Sequence, residues 1–134
     1  MSDADSSAQS ASRPPVRLLV VDDELSYTKL LTKRMTHRGF EVTAVNSGRE
    51  AVQAMRCGSY DVALLDLKME DIDGLETLKM LKILAPETKV IILTGHGGEA
   101  EARRCFDLGA FDYLVKPCRL EVIIQTILRA VGRF

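Results

Sequence analysis

Residues 16–24 read VRLLVVDDE, an unbroken apolar run from Leu18 to Val21 followed by two aspartates. A run that is apolar at consecutive positions and too short for a helix has the pattern of a strand covered on both faces. The strand candidates are Arg17–Val21, Asp61–Leu65 (DVALL), Lys89–Leu93 (KVIIL), Phe111–Val115 (FDYLV) and Phe40–Val45 (FEVTAV). The last alternates more and suits a sheet edge. Helical patterns lie between them. Tyr27, Leu30, Leu31 and Met35 fall on the apolar stripe of a first helix that ends near Gly39. Ser47-Gly-Arg-Glu50 is a capping box, placing Ser47 at the start of a second helix that stops near Gly58. Leu75, Leu78 and Leu81 mark a third helix, which must end before Pro86. A short fourth turns Ala102, Cys105 and Phe106 inward and stops at Gly109; in the fifth, Leu120, Ile123, Ile124, Ile127, Leu128 and Val131 recur at helical spacing.

Five strands alternating with five helices, joined by right-handed crossovers, make an α/β fold: a doubly wound (βα)5 open parallel sheet. Periodicity leaves the strand order open. Whatever the order, ligands in such sheets bind beyond the carboxyl ends of the strands.

The 134 residues hold 18 basic and 19 acidic side chains, a net charge of −1, so no basic stripe drives binding to nucleic acid or an anionic membrane. No apolar run approaches the length of a membrane span. The three cysteines, Cys57, Cys105 and Cys118, match neither a disulfide framework nor a CxxC metal pair, which fits a reducing, cytoplasmic setting. Residues 1–15, MSDADSSAQSASRPP, are small and polar and read as a disordered N-terminal tail, leaving 16–134 as one folded domain. Tail and domain use up the length, so an output function is expected from another chain or from sequence outside this one.

The strand ends carry the chemistry. Asp22 and Asp23 follow the first strand, Asp66 closes the third, Thr94 the fourth, and Lys116-Pro117 follow the fifth. Each alone reads as a helix cap or strand terminator. Together, three carboxylates at one sheet edge repel unless a cation gathers them. Carboxylates, a hydroxyl and an ammonium suit phosphoryl transfer to a carboxylate, with Mg²⁺ held by oxygen ligands and Lys116 and Thr94 on phosphoryl oxygens.

The strings VVDDE, ALLDLKMEDIDG, IILTGHG and GAFDYLVKP resemble the response-regulator receiver domain of two-component signalling over about residues 16–131. The resemblance implies a flavodoxin-like sheet of strand order 2-1-3-4-5. It makes Asp66 the phosphoacceptor and sets Asp22, Asp23, Asp66 and the Lys68 carbonyl around Mg²⁺. Thr94 becomes the switch hydroxyl, Lys116 the ammonium, Tyr113 the aromatic that moves with the switch, and Pro117 the proline whose preceding bond is often cis. The Asp73-Gly74 turn matches the loop closing over the acceptor side.

The implied function is a signalling phosphoacceptor rather than a turnover enzyme, although it would catalyse its own phosphorylation and dephosphorylation. The implied partners are a sensor histidine kinase or phosphotransfer protein and a downstream output protein or domain. The face of the fourth helix, fifth strand and fifth helix would report phosphorylation, and a homodimer through that face is compatible with the sequence. Direct binding to nucleic acid or membrane is not expected.

One departure stands out: Glu70 occupies the position where receivers commonly carry proline, which is expected to loosen the loop, with Glu70 and Asp71 adding negative charge near the site. Lys68 and His96, two residues past the acceptor and the switch, are expected to flank the pocket and tune hydrolysis. His37 reads as a helix-end surface residue and Cys105 as core. Two alternatives remain open at this point: an aspartate-nucleophile phosphatase of the haloacid-dehalogenase type, for which LLDLK and ILTGH give partial support, and a pseudo-receiver that acts without phosphorylation.

Overall fold

A computed structural model describes residues 13–133. The elements follow in strict alternation: β1 (Arg17–Val21), α1 (Leu25–His37), β2 (Glu41–Val45), α2 (Gly48–Cys57), β3 (Val62–Leu65), α3 (Gly74–Leu84), β4 (Lys89–Thr94), α4 (Glu99–Asp107), β5 (Asp112–Val115) and α5 (Leu120–Ala130). All strands are parallel, in the order β2-β1-β3-β4-β5. The expected tail falls largely on residues 1–12, outside the described residues; Arg13–Pro15 are exposed and belong to no helix or strand.

Consecutive strand residues point to opposite faces, and the core divides accordingly. On one face Leu18, Val20, Val62, Leu64, Ile91 and Leu93 meet Leu31 and Met35 of α1 and Ile123, Ile124 and Ile127 of α5. On the other, Leu19, Val21, Ala63, Leu65, Val90 and Ile92 meet Ala51 and Met55 of α2, Leu78 and Leu81 of α3 and Cys105 of α4. This two-sided burial explains the unbroken apolar runs. A fully buried Leu or Ile contributes about 2 kcal/mol, so the three central strands dominate the stability of the platform beneath their carboxyl ends.

Three expectations are corrected. Leu30 is 49% exposed and Phe106 47% exposed. Each stands about 100° around its helix from a neighbour that faces the sheet, Leu31 and Cys105, and α1 fills its sheet-facing stripe with Thr28 instead. The fifth strand, read as covered on both faces, is an edge strand whose residues are half-buried, with Val115 exposed. Gly39 and Gly109 end α1 and α4 at φ +93° and +102°, the left-handed region that glycine enters without penalty. Among the described residues, no helix is long and apolar enough to cross a membrane.

Candidate functional site

The register sets Val21 beside Leu65, Leu65 beside Ile92 and Ile92 beside Tyr113, so the residues just past the strands converge at one edge. Asp66 continues the ladder, donating its amide to the Val21 carbonyl at 2.9 Å, and Asp22 does the same toward Val45 at 3.2 Å. One carboxylate oxygen from each of Asp22, Asp23 and Asp66 lies within 4.8 Å of the other two. Asp22 and Asp66 are buried and Asp23 is exposed.

Two buried carboxylates this close need positive charge. Lys116 supplies it: its Nζ lies 2.5 Å from Asp22 Oδ2 and 3.5 Å from Asp66 Oδ2. The ring of Tyr27 backs the ammonium at 4.3 Å from its centroid. Burial opposes the Lys116 charge, but the hydrogen bond and charge of Asp22, with the charge of Asp66, hold its pKa above the ordinary lysine value. Burial pushes the Asp22 carboxyl up, outweighing the lowering by Lys116 and by the Glu24 amide. The result is a cationic Lys116 shared by two acids, one of which is costly to keep charged without further cations.

Backbone amides fix the remaining oxygens. Asp22 Oδ1 accepts from the Glu24 amide at 2.9 Å and Asp66 Oδ1 from the Lys68 amide at 3.1 Å. The Asn46 side chain, just past β2, donates to the Asp22 carbonyl at 2.9 Å and meets Thr28 Oγ1 at 3.2 Å, tying the acid pair to α1. The Lys116–Pro117 peptide bond is cis.

Thr94 is fully buried, and its Oγ1 accepts from the His96 amide at 3.4 Å. Lys68 Nζ and His96 Nε2 stand 3.3 Å apart, so both expected flanking residues meet across the opening. The Tyr113 hydroxyl donates to Glu101 Oε1 at 2.8 Å and lies 3.4 Å from the His96 carbonyl. Burial and the acid partner raise its pKa, keeping the phenol a donor. Gly97 makes room for it, since a Cβ there would sit 2.2 Å from the phenol oxygen.

Asp22, Asp23, Glu24, Asp66, Lys68, Gly95, His96 and Lys116 line an open cleft of about 390 Å³. A larger cavity of about 530 Å³ opens between Arg13–Val16 and Arg38–Phe40, but it holds no carboxylate and no residue of this cluster. The smaller cleft holds the carboxylate cluster and Lys116. Its carboxylate oxygens and solvent access suit a hard divalent cation that keeps several waters.

Asp71 behaves differently from its sequence expectation. Its carboxylate accepts from the amides of Gly48 at 3.0 Å and Arg49 at 2.9 Å, at the start of α2. The Arg49 amide foremost, with that of Gly48, holds its pKa below the ordinary carboxylate value against some desolvation. Neither Asp71 nor Glu70 lines the cleft. Asp73 serves as the N-cap of α3, with Oδ1 facing the Leu75 amide at 3.4 Å. Burial pushes the Cys105 thiol up to about 11, consistent with an inert core side chain, and His37 is exposed at the end of α1.

Residues 18–128 match the family described as the response regulator receiver domain. The chain belongs to that family. It is 34% identical over 117 residues to the transcriptional regulatory protein ZraR of Escherichia coli, covering 87% of this chain and 26% of that protein. It is 40% identical over 118 residues to the transcriptional regulatory protein TcrA of Mycobacterium tuberculosis, covering 88% and 46%. The receiver domain thus spans between about a quarter and a half of those relatives' length.

Among solved structures, a response regulator receiver domain protein from Clostridium thermocellum superposes with a TM-score of 0.82 at 33% identity, covering 88% of this chain and 95% of that one. A response regulator from Burkholderia pseudomallei, solved with a phosphorylated aspartic acid, a calcium ion and citrate, superposes at 0.81 with 26% identity, covering 87% and 69%. The five-stranded sheet of order 2-1-3-4-5 is the fold these receivers share with this chain.

Of the strand-end residues, sequence reasoning singled out Asp22, Asp23, Asp66, Thr94 and Lys116, and the structure brings the three aspartates and Lys116 together in one cleft; it passed over Asn46 and did not foresee the contacts of Tyr27 and Asp71. Asn46 directly follows β2, and applying the strand-end rule to that edge strand would have singled it out. Spacing marks Tyr27 only as a position on a helical stripe and Asp71 only as local charge, and the contacts of both cross between elements.

Proposed function

We propose that Asp66 accepts a phosphoryl group from a phosphohistidine of a sensor kinase or phosphotransfer protein, in a reaction that requires Mg²⁺. The observation that carries this reading is the shared Lys116: one ammonium bonded to Asp22 and within ion-pair distance of Asp66. An Asp66 oxygen attacks phosphorus, the P–N bond breaks, and the imidazole leaves and takes up a proton. Asp22, Asp23, Asp66 and the Lys68 carbonyl would hold the metal, which supplies charge neutralisation of the phosphoryl oxygens. Lys116, freed from Asp66, takes one phosphoryl oxygen and the Thr94 hydroxyl another. Thr94 movement reaches Tyr113 through the His96 segment, whose carbonyl lies at the phenol, and so alters the face of α4, β5 and α5.

This reading makes residues 16–134 a cytoplasmic receiver unit that acts on an output protein or domain, without contacting nucleic acid or membrane itself, and leaves room for a homodimer through the α4–β5–α5 face. A haloacid-dehalogenase-type phosphatase requires a second acid two residues after its nucleophile, where this chain has Lys68.

With acetyl phosphate as donor, the protein is expected to become phosphorylated when Mg²⁺ is present and to remain unmodified with EDTA. It is also expected to show no steady turnover of p-nitrophenyl phosphate. Sustained release of p-nitrophenol would transfer the case to the phosphatase. Lys68 and His96 both line the cleft and meet at 3.3 Å, and in this reading they control the approach of the attacking water. Exchanging both for Ala is expected to change the dephosphorylation rate several-fold, about one order of magnitude at most; an unchanged decay of the phosphorylated form excludes that role.

A further inference from the structure

We propose that Asp71 is a positioning residue for the metal and acceptor site, fastening the loop between β3 and α3 to the start of α2 in place of the proline that Glu70 replaces. The proposal rests on the reading of Asp66 and its neighbours as a Mg²⁺-dependent phosphoacceptor site. The loop runs from Asp66 through Lys68, whose carbonyl is a ligand in that reading, to the N-cap Asp73. Proline at position 70 would restrict this backbone directly. Glu70 gives no such restriction, and it is exposed.

The fastening comes from the next residue. Both Asp71 oxygens are engaged, one on each of two successive helix amides, and hydrogen bonds to an ionised carboxylate at a helix start are the strong kind. Ser47 already caps this helix through the Glu50 amide at 3.1 Å, so Asp71 takes the two donors that Ser47 leaves over.

The mount beneath this contact is stiff. Gly48 is buried, and a Cβ there would sit 2.8 Å from Thr77 Oγ1 of α3 and 3.0 Å from Ile72 Cβ of the loop itself. The helix start, the first turn of α3 and the loop are thus in direct contact around one glycine. On the acceptor side, the backbone of Leu67 lies against Gly74. Held at Leu67 and at Asp71, the intervening Lys68–Glu70 segment has little freedom to drift from the carboxylate cluster.

A residue acting only as a helix cap would change stability and leave metal affinity alone, so the test reads Mg²⁺ affinity by calorimetry on the full chain, with folding monitored by circular dichroism. Four proteins are compared: the parent, Asp71→Ala, Arg49→Pro, and Asp71→Ala combined with Glu70→Pro. Proline is tolerated in a first helical turn, and Arg49→Pro removes one donor without touching the acidic loop. Asp71→Ala is expected to weaken Mg²⁺ binding about tenfold, as loss of an outer partner of a metal site does. Arg49→Pro should weaken it in the same direction, and adding Glu70→Pro should restore the parent's affinity while the unfolding midpoint stays lowered. Should Asp71→Ala fail to fold, Arg49→Pro carries the test. Folded variants that bind Mg²⁺ as tightly as the parent, or a loss that proline at 70 does not repair, overturn the positioning role. A parent that binds no Mg²⁺ overturns the metal reading itself, and the positioning role with it.

Discussion

Lys116→Met is expected to move three properties in different directions. The substitution keeps an unbranched side chain, one atom shorter, and removes its charge, leaving Asp22 and Asp66 buried without the ammonium that now lies 2.5 and 3.5 Å from them. Losing one partner of a buried ion pair costs about 3 kcal/mol, so urea unfolding of the metal-free protein should shift by about that amount. The deficit should shrink on acidification. Burial already holds the Asp22 pKa above its ordinary value, and without Lys116 it rises further. The folded variant then takes up protons more readily than the unfolded chain, and the penalty present at neutral pH fades toward the carboxylate range.

Mg²⁺ binding should tighten, on the order of tenfold, because a cation enters a site one charge more negative. Phosphorylation by acetyl phosphate should nonetheless slow by about 10²- to 10³-fold, since the group that meets the developing phosphoryl charge is gone. Slower phosphorylation with weakened metal binding would mean that the variant damaged the fold rather than the chemistry.

Gly74→Ala is the substitution expected to cost most among the glycines. A Cβ at this position would lie 2.3 Å from both Leu67 Cα and Leu67 O. Those atoms are backbone, joined directly to Asp66 and Lys68, so no rotamer change can make room. Overpacking of this kind costs about 3 kcal/mol, read as a drop in the urea midpoint with an unchanged slope. Gly95→Ala, where nothing lies within 4 Å, should change stability by less than about 1 kcal/mol. The relief available to Gly74→Ala is a shift of the acceptor loop, and phosphorylation should fall along with stability. Equal midpoints for the two variants would contradict the close approach at Gly74.

The contrast between legible and illegible features follows from what each depends on. β1, β3 and β4 announce themselves because burial on both faces demands an unbroken apolar run through their middle, and their carboxyl ends then locate Asp22, Asp66 and Thr94. The helix stripes are legible only to within one residue. Leu30 and Phe106 are apolar enough to have been read as core, yet a 100° step turns them outward. Strand order came from the resemblance to receivers, because spacing within a strand carries no information about its neighbours.

Asp71 illustrates a different limit. As one of several acids in EDID it read as local charge, whereas its role depends on two amides 22 and 23 residues away in sequence. Tyr27 read as one more apolar position in a helical stripe, and only the folded chain brings its ring to the ammonium of Lys116.

The most direct measurement is the intact mass of the protein after incubation with acetyl phosphate and Mg²⁺, made in parallel on the parent and on Asp66→Asn. The parent should gain the mass of a single phosphate and Asp66→Asn should gain none. Equal gains in the two proteins would place the phosphoryl group elsewhere and contradict the assignment of Asp66.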